Sequence, residues 1–259
     1  MKPKNLEEIH RSFAVQAANF ESKSMNFSKA EYLQYMVDRI APRKEDTVLE
    51  VAAGTCVCGR AFAPHVKTMV CIDATVPMLS RGREEANRKG LDNMIFIKGY
   101  AEELPFLPES FDVVYSRLAF HHFTAPEAAF AEMVRVLKPG GRLVMIDMEA
   151  AHEEDRARRD EIEILRDPSH VRNLSRPEME ALFGRYGLPL EIGDVTEIPQ
   201  QLKSWMELTK TPEAVKADIV KCMEEDLAGG ERTGFYPYRQ DGEIWFRQHW
   251  VLLAGRKPE

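Results

Sequence analysis

Cysteine is scarce in this chain: Cys56, Cys58, Cys71 and Cys222 are the only four in 259 residues. So few, so scattered, cannot build a disulfide framework in a chain of this length. The Cys56-Val57-Cys58 pair has no second Cys or His pair at ligand spacing, so no metal site is expected and the thiols read as reduced, small buried side chains. Long apolar runs are missing as well. No stretch approaches the roughly 18 residues of a membrane span. The start, Met1-Lys2-Pro3-Lys4-Asn5, leads into a polar amphipathic pattern and not a signal-peptide apolar region, which points to the cytoplasm. Nor is there an excess of positive charge. Thirty-five basic against 42 acidic residues give a net charge of -7, with no general pull toward nucleic-acid phosphates or anionic membranes. No internal repeat, low-complexity tract or long linker interrupts the chain.

What is present is the composition of a globular enzyme, with 44% hydrophobic residues and enough length to bury a sizeable core. One domain over 1–259 is expected: a helical cap at 1–42, a core at 43–150, and helices plus the last two strands at 151–259. In the cap, Leu6, Ile9, Phe13 and Ala17 recur at helical spacing, and Ser28 with Glu31 reads as a capping box ahead of Leu33, Met36, Val37 and Ile40, with Pro42 as the stop. From Thr47 onward, apolar β-branched runs at 47–51, 69–72, 94–97, 111–115 and 142–147 alternate with helix-competent segments. That alternation predicts parallel βαβ units with helices on both faces of the sheet. Beyond the core, acid-first pairs Glu154/Arg158 and Asp155/Arg159 suggest a solvated helix face. Ser175-Arg176-Pro177-Glu178 predicts a capped helix with the stripe Met179, Leu182, Phe183 and Tyr186, closed by Gly187. Thr211-Pro212 opens another helix that ends near Gly229-Gly230. Strands at 190–197 and 244–254 bring the sheet to seven.

The first strand carries the most information. Thr47-Val48-Leu49-Glu50-Val51 runs straight into Ala52-Ala53-Gly54-Thr55, a buried strand delivering small residues into a tight loop that a nucleotide can approach. The second apolar run, Met69-Val70-Cys71-Ile72, ends in Asp73, nineteen residues after Gly54, close to the offset at which a second parallel strand offers a carboxylate to a ribose. The loop does not satisfy Gly-x-Gly-x-x-Gly, which disfavours a nicotinamide-dependent oxidoreductase.

Five pieces in order, 48–55, Ile72-Asp73, Gly99 to Phe106, Ser110 to Ser116 and Val136 to Gly141, resemble the core of class I S-adenosylmethionine-dependent methyltransferases. The likeness is greatest to the group with the ubiquinone and menaquinone C-methyltransferases and many small-molecule methyltransferases. The resemblance implies a Rossmann-like, mostly parallel seven-stranded sheet in the order 3-2-1-4-5-7-6, last strand antiparallel, binding S-adenosylmethionine and releasing S-adenosylhomocysteine. It implies that Glu50 lies near the aminocarboxypropyl end, that Asp73 accepts ribose hydroxyls, that Met78 packs on the adenine, and that Ala101 with Glu102 borders the adenine edge. Ala52, Gly54, Ala74 and Ser116 complete the implied cofactor contacts. Three positions depart from the pattern: Ala52 and Cys56 stand where the commonest loop has Gly, and Tyr100 where an Asp takes the adenine amino group. Lys138-Pro139-Gly140-Gly141 reads as a scaffold turn.

Methyl transfer needs in-line alignment, exclusion of water and, for a hydroxyl acceptor, a base. His121 follows the fourth strand and Asp147 closes the fifth. Strands about 4.8 Å apart with both C-terminal ends on the cofactor side can bring them together as an acid/base pair. The acceptor, a small molecule, should be roofed by the N-terminal helices with Phe13, Phe20 and Phe27 and by segments 151–187 and 199–243. A catalytically silent S-adenosylmethionine-binding module is the alternative, because fold and cofactor site do not by themselves establish chemistry.

Overall fold

The computed structural model describes residues 5–16 and 28–259. Ala17, Phe20 and Phe27, assigned above to the cap and the pocket roof, lie outside them. Two helices open the chain, α1 (Leu6–Gln16) and α2 (Ala30–Ile40). The capping box expected at Ser28 does not form: the N-cap is Lys29, in extended conformation and without a side-chain bond, which leaves Glu31 one residue short of the position the box requires.

The core follows as β1 (Thr47–Val51), α3 (Val57–Phe62), β2 (Thr68–Asp73), α4 (Val76–Arg88), β3 (Met94–Lys98), β4 (Phe111–Arg117), α5 (Pro126–Val136) and β5 (Leu137–Met148). Then come α6 (Arg156–Arg166), α7 (Arg176–Arg185), β6 (Leu190–Gln201), α8 (Leu202–Leu208), α9 (Glu213–Leu227), β7 (Tyr238–Gln240) and β8 (Glu243–Arg256). The sheet order is β3-β2-β1-β4-β5-β8-β6, with β7 paired to β8 off that path. β1 to β5 pair in parallel and β8 runs antiparallel to both β5 and β6. With β8 counted as seventh, the expected order stands; the correction is an eighth strand. Its signal was in the sequence: Asp241-Gly242, at φ +53° and +79°, makes the tight turn of the β7–β8 hairpin. The Lys138–Gly141 turn is taken up within β5, where Phe111 faces Leu137 but Val113 faces Arg142.

Strand alternation divides the interior in two. Leu49 and Val51 pack with Ile72, Phe130 and Phe183 on one face. Val48 packs with Met36, Ile40, Phe62 and Met69 on the other. Glu50, two residues from Val48, therefore points to the α2–α3 side. The predicted capping box at Ser175 is present, with Ser175 N donating to Glu178 Oε2 at 2.8 Å and the Glu178 amide donating back to Ser175 Oγ. The helix at 153–166 departs from expectation. Glu153–Asp155 is a 3₁₀ turn, and α6 buries Arg159, Ile162, Glu163 and Arg166 instead of presenting a wholly solvated charge run. Among the described residues no helix is long and apolar enough to cross a membrane.

Candidate active site

One large cavity opens along the C-terminal ends of β1, β2, β4 and β5, with about 1500 Å³ of empty space including its open mouth. This is where open α/β sheets place ligands, at the point where strand order reverses between β1 and β4. Its first wall is the loop after β1. Gly54 takes φ +54° and its N–H donates to Asp73 Oδ2 at 2.7 Å, while Thr75 N donates to Asp73 Oδ1 at 2.7 Å. Each carboxylate oxygen thus holds one backbone donor and keeps capacity for another. Burial raises the Asp73 pKa, against the lowering effect of the Thr75 and Gly54 donors.

Glu50 Oε2 accepts from Gly59 N at 2.9 Å and from the Cys71 thiol at 3.6 Å, so its carboxyl satisfies an amide in the first turn of α3. Burial pushes its pKa up to about 7 despite those bonds. Gly59 is required there, since an added Cβ would sit 2.6 Å from Cys71 Sγ and 2.8 Å from Glu50 Oε2. Cys56, Cys58 and Cys71 are buried free thiols.

His121 and Asp147 meet. His121 Nδ1 lies 2.6 Å from Asp147 Oδ1, and Oδ2 accepts from Ala119 N at 3.1 Å and Phe120 N at 2.6 Å. Met148 N donates to Oδ1 at 2.7 Å. Burial alone would lower the His121 pKa, but the charge and hydrogen bond of Asp147 outweigh it and the net shift is upward. Asp147 is held below the ordinary carboxyl value: burial acts upward, and His121 with the Met148 and Phe120 amides acts more strongly downward. His121 lines the cavity; Asp147 stands behind it.

Of the other expected contacts, Glu50, Ala52, Gly54, Asp73, Ala74, Ala101 and Glu102 line the cavity. Met78 and Ser116 do not. Both are fully buried within α4 and β4. Other cavity residues carried no local signal. Arg117 lies over the Trp250 ring at 5.0 Å and Arg166 over Trp205 at 4.4 Å, and all four line the cavity. His122 lines it too, its Nδ1 3.0 Å from the Ser169 carbonyl; burial, with the charge of His121, pulls its pKa down to about 3 and keeps it neutral. The doublet His121-His122 was visible in the sequence; both are buried, and the carboxylate of Asp147 at His121, against the Ser169 carbonyl at His122, separates the two roles.

Comparison with known proteins agrees with this geometry. Residues 49–145 match the family model described as a methyltransferase domain. An uncharacterized methyltransferase, YcgJ of Bacillus subtilis, is 33% identical over 235 residues, 89% of this chain and 92% of that protein. The crystal structure of YcgJ superposes with a TM-score of 0.81 over 89% of this chain and 100% of the other. The ubiquinone/menaquinone biosynthesis C-methyltransferase UbiE of Ruegeria sp. is 37% identical over 116 residues, 43% of this chain and 46% of its own length. A phosphoethanolamine N-methyltransferase of Haemonchus contortus, solved with S-adenosyl-L-methionine, shares the fold at 17% identity and a TM-score of 0.65, over 99% of this chain and 60% of that one. A Rossmann-like sheet with its cavity at the β1–β4 reversal defines the class, and the chain belongs to the methyltransferase family.

Proposed function

We propose that the protein transfers a methyl group from S-adenosylmethionine to a small-molecule acceptor, with His121 as general base and Asp147 as its positioning partner. The observation that carries this reading is the single cavity lined by both the Gly54–Asp73 loop and His121. The donor set fits such a cofactor. Asp73 has acceptor capacity for ribose hydroxyls, the small residues Ala52, Gly54 and Ala74 permit close backbone approach, and Glu50 supplies a buried carboxyl toward an amine. Bound there, S-adenosylmethionine would supply a methyl group already activated by its sulfonium.

The chain's own residues then align and deprotonate. His121 Nδ1 is taken by Asp147, which leaves Nε2 to accept the acceptor's proton. Asp147, fixed by three backbone amides, sets the tautomer and stabilises the imidazolium that forms. Phe13 of α1 and Trp205 of α8 supply aromatic walls to the cavity, and an apolar wall beside the reacting atoms disfavours water there. A net charge of -7 supports a small molecule over a nucleic acid as acceptor.

Calorimetric titration with S-adenosylmethionine, followed by turnover against fractionated metabolites, tests the proposal. In His121→Ala and Asp147→Asn, cofactor affinity persists while turnover drops about 100-fold or more. The wild-type kcat/KM rises with pH through a value above that of an ordinary imidazole, because the His121 pKa is raised. Absence of cofactor binding would overturn the reading. Binding without product would favour a silent module, and near wild-type turnover in both variants would remove the base.

A further inference from the structure

The sheet order divides the cavity at His121. Loops after β1, β2 and β3 line it on one side; on the other it is lined by side chains of β4, β6, β8, α6 and α8. On that second side, three buried donors lack an acceptor among the described residues. The first is the amide nitrogen of Gln248, a residue 4% exposed whose Oε1 accepts from Gln200 Nε2 at 2.8 Å and from Trp250 Nε1 at 3.3 Å. An indole nitrogen only donates, so the amide oxygen is the atom that faces it, and Nε2 is left to the cavity that Gln248 lines. The second is Arg166 Nε. Its Nη1 donates to the Trp205 carbonyl at 3.4 Å and its Nη2 pairs with Glu163 at 3.2 Å, but Nε is buried without a partner. The third is Trp205 Nε1, equally buried and unpartnered, in the ring beneath that guanidinium.

Buried donors without partners are costly, and beside a cavity they are completed by a ligand that brings acceptor oxygens. The charges agree. From β4 onward the cavity is lined by the guanidiniums of Arg117 and Arg166 and by one acid, Asp167. Asp167 is already filled: Oδ1 accepts from Ser12 Oγ at 2.7 Å and Ser169 N at 3.0 Å, and Oδ2 from Gln16 Nε2 at 3.3 Å. Glu163 balances Arg166 from outside the lining. A ligand cation at this end would meet two guanidiniums, whereas a carboxylate brings two acceptor oxygens in the plane that a guanidinium fork matches. Between this end and His121 the walls Leu118, Met148 and Leu208 are apolar. We propose that the methyl acceptor is a small carboxylic acid, its carboxylate held by Gln248 Nε2, Arg166 Nε and Trp205 Nε1 and its nucleophile turned toward His121. This deepens the proposed methyl transfer and rests on it. Gln248 stands on β8 and Asp73 on β2, so an acceptor anchored at one and a cofactor anchored at the other approach His121 from opposite sides of β4, as in-line displacement requires.

The test is ligand-observed NMR titration of three matched probes, phenylacetate, phenylacetamide and 2-phenylethylamine, with and without S-adenosylhomocysteine, whose own binding is measured by calorimetry. The wild type binds phenylacetate about tenfold or more tightly than the amide or the amine, the contribution expected of hydrogen bonds to a charged group. Gln248→Glu still accepts from Gln200 and Trp250 but presents a negative oxygen in place of the N–H. It therefore loses the preference for phenylacetate and favours the amine, an inversion that partial unfolding does not produce. Arg166→Lys keeps a charge beside Glu163 and removes Nε, so it weakens phenylacetate without inverting the order. A wild type that does not prefer phenylacetate, or a preference unchanged in Gln248→Glu, would overturn the carboxylate site; if S-adenosylhomocysteine still binds, the cofactor reading stands. A wild type that prefers phenylacetate but does not bind S-adenosylhomocysteine would overturn the methyl-transfer reading, and with it the assignment of the carboxylic acid as methyl acceptor.

Discussion

Ala52 and Cys56 hold φ of +56° and +58° without the freedom of glycine. The departure from glycine at both positions was legible in the sequence; that the backbone nevertheless keeps the left-handed turn was not, because it depends on the bonds that close the loop, Ala53 N to the Ile72 carbonyl at 3.0 Å and Cys56 N to the Ala53 carbonyl at 2.7 Å. A left-handed L-residue costs about 1–2 kcal/mol, and glycine's extra entropy returns about 0.5–1 kcal/mol of that. Ala52→Gly is therefore expected to stabilise the protein by about 0.5–1 kcal/mol, read as a rise in urea midpoint at constant slope. Cys56→Gly gains less, since it also empties a fully buried thiol site. The His121–Asp147 pair was readable for the opposite reason. Asp147 lies near the end of β5 and His121 in the 3₁₀ turn Phe120–His122 just past the adjacent strand β4, so the topology brings the two close and the turn's amides on Asp147 fix the distance.

At the scale of elements, local windows predicted what local forces decide. The capping box of α7 and the strands β1 to β4 rest on neighbours in sequence or on apolar β-branched runs, and they form where expected; β5 starts at Leu137, ahead of the expected 142, because it takes up the Lys138–Gly141 turn. α6 failed that way of reading because its partners are remote. Arg159 lies 5.0 Å from the Phe235 ring and Arg166 4.4 Å from Trp205, so charges that look solvated in a short window stack on aromatics at the far end of the chain. α1 is positioned by equally remote contacts. Asn5 Nδ2 donates to the His122 carbonyl at 3.0 Å, His10 Nε2 lies 3.1 Å from the Ala74 carbonyl, and Ser12 and Gln16 donate to the two Asp167 oxygens at 2.7 and 3.3 Å. The helix so ties the loop after β2 to the segments at His122 and Asp167. Bonds to a charged partner contribute about 1.5–3 kcal/mol, so Ser12→Ala with Gln16→Ala should release α1 first. Hydrogen exchange is expected to quicken at least tenfold in residues 6–16 and to stay unchanged in β1, β4 and β5; uniform loss of protection would mean that α1 is not a separable unit.

For the molecule as a whole, the sheet was legible and the acceptor side was not. Residues from α1, α6, α8 and β8 meet at the cavity only after folding, and none of these segments carries a motif for what it will face. The balance between stability and site shows most directly at Glu50. The residue is 3% exposed, and burial moves its carboxyl pKa from 4.5 to about 7. Between those values the folded chain keeps a proton that the unfolded chain has released, so stability falls as pH rises through that window. The full cost above it is about 3 kcal/mol. His121, whose pKa is also raised, contributes with the same sign, but equally in the wild type and in a Glu50 variant, so their difference isolates Glu50. Glu50→Gln keeps an oxygen for the Gly59 amide and cannot ionise. It is expected to melt well above the wild type at pH 8 and to converge with it near pH 4. Under the proposed cofactor assignment the same variant should bind S-adenosylmethionine more weakly, since the ionised carboxyl that destabilises the free protein is the one proposed to face an amine. A Glu50→Gln protein no more stable than wild type at pH 8 would show that the buried carboxyl is neutralised some other way, and unchanged cofactor affinity would place the ammonium elsewhere in the cavity.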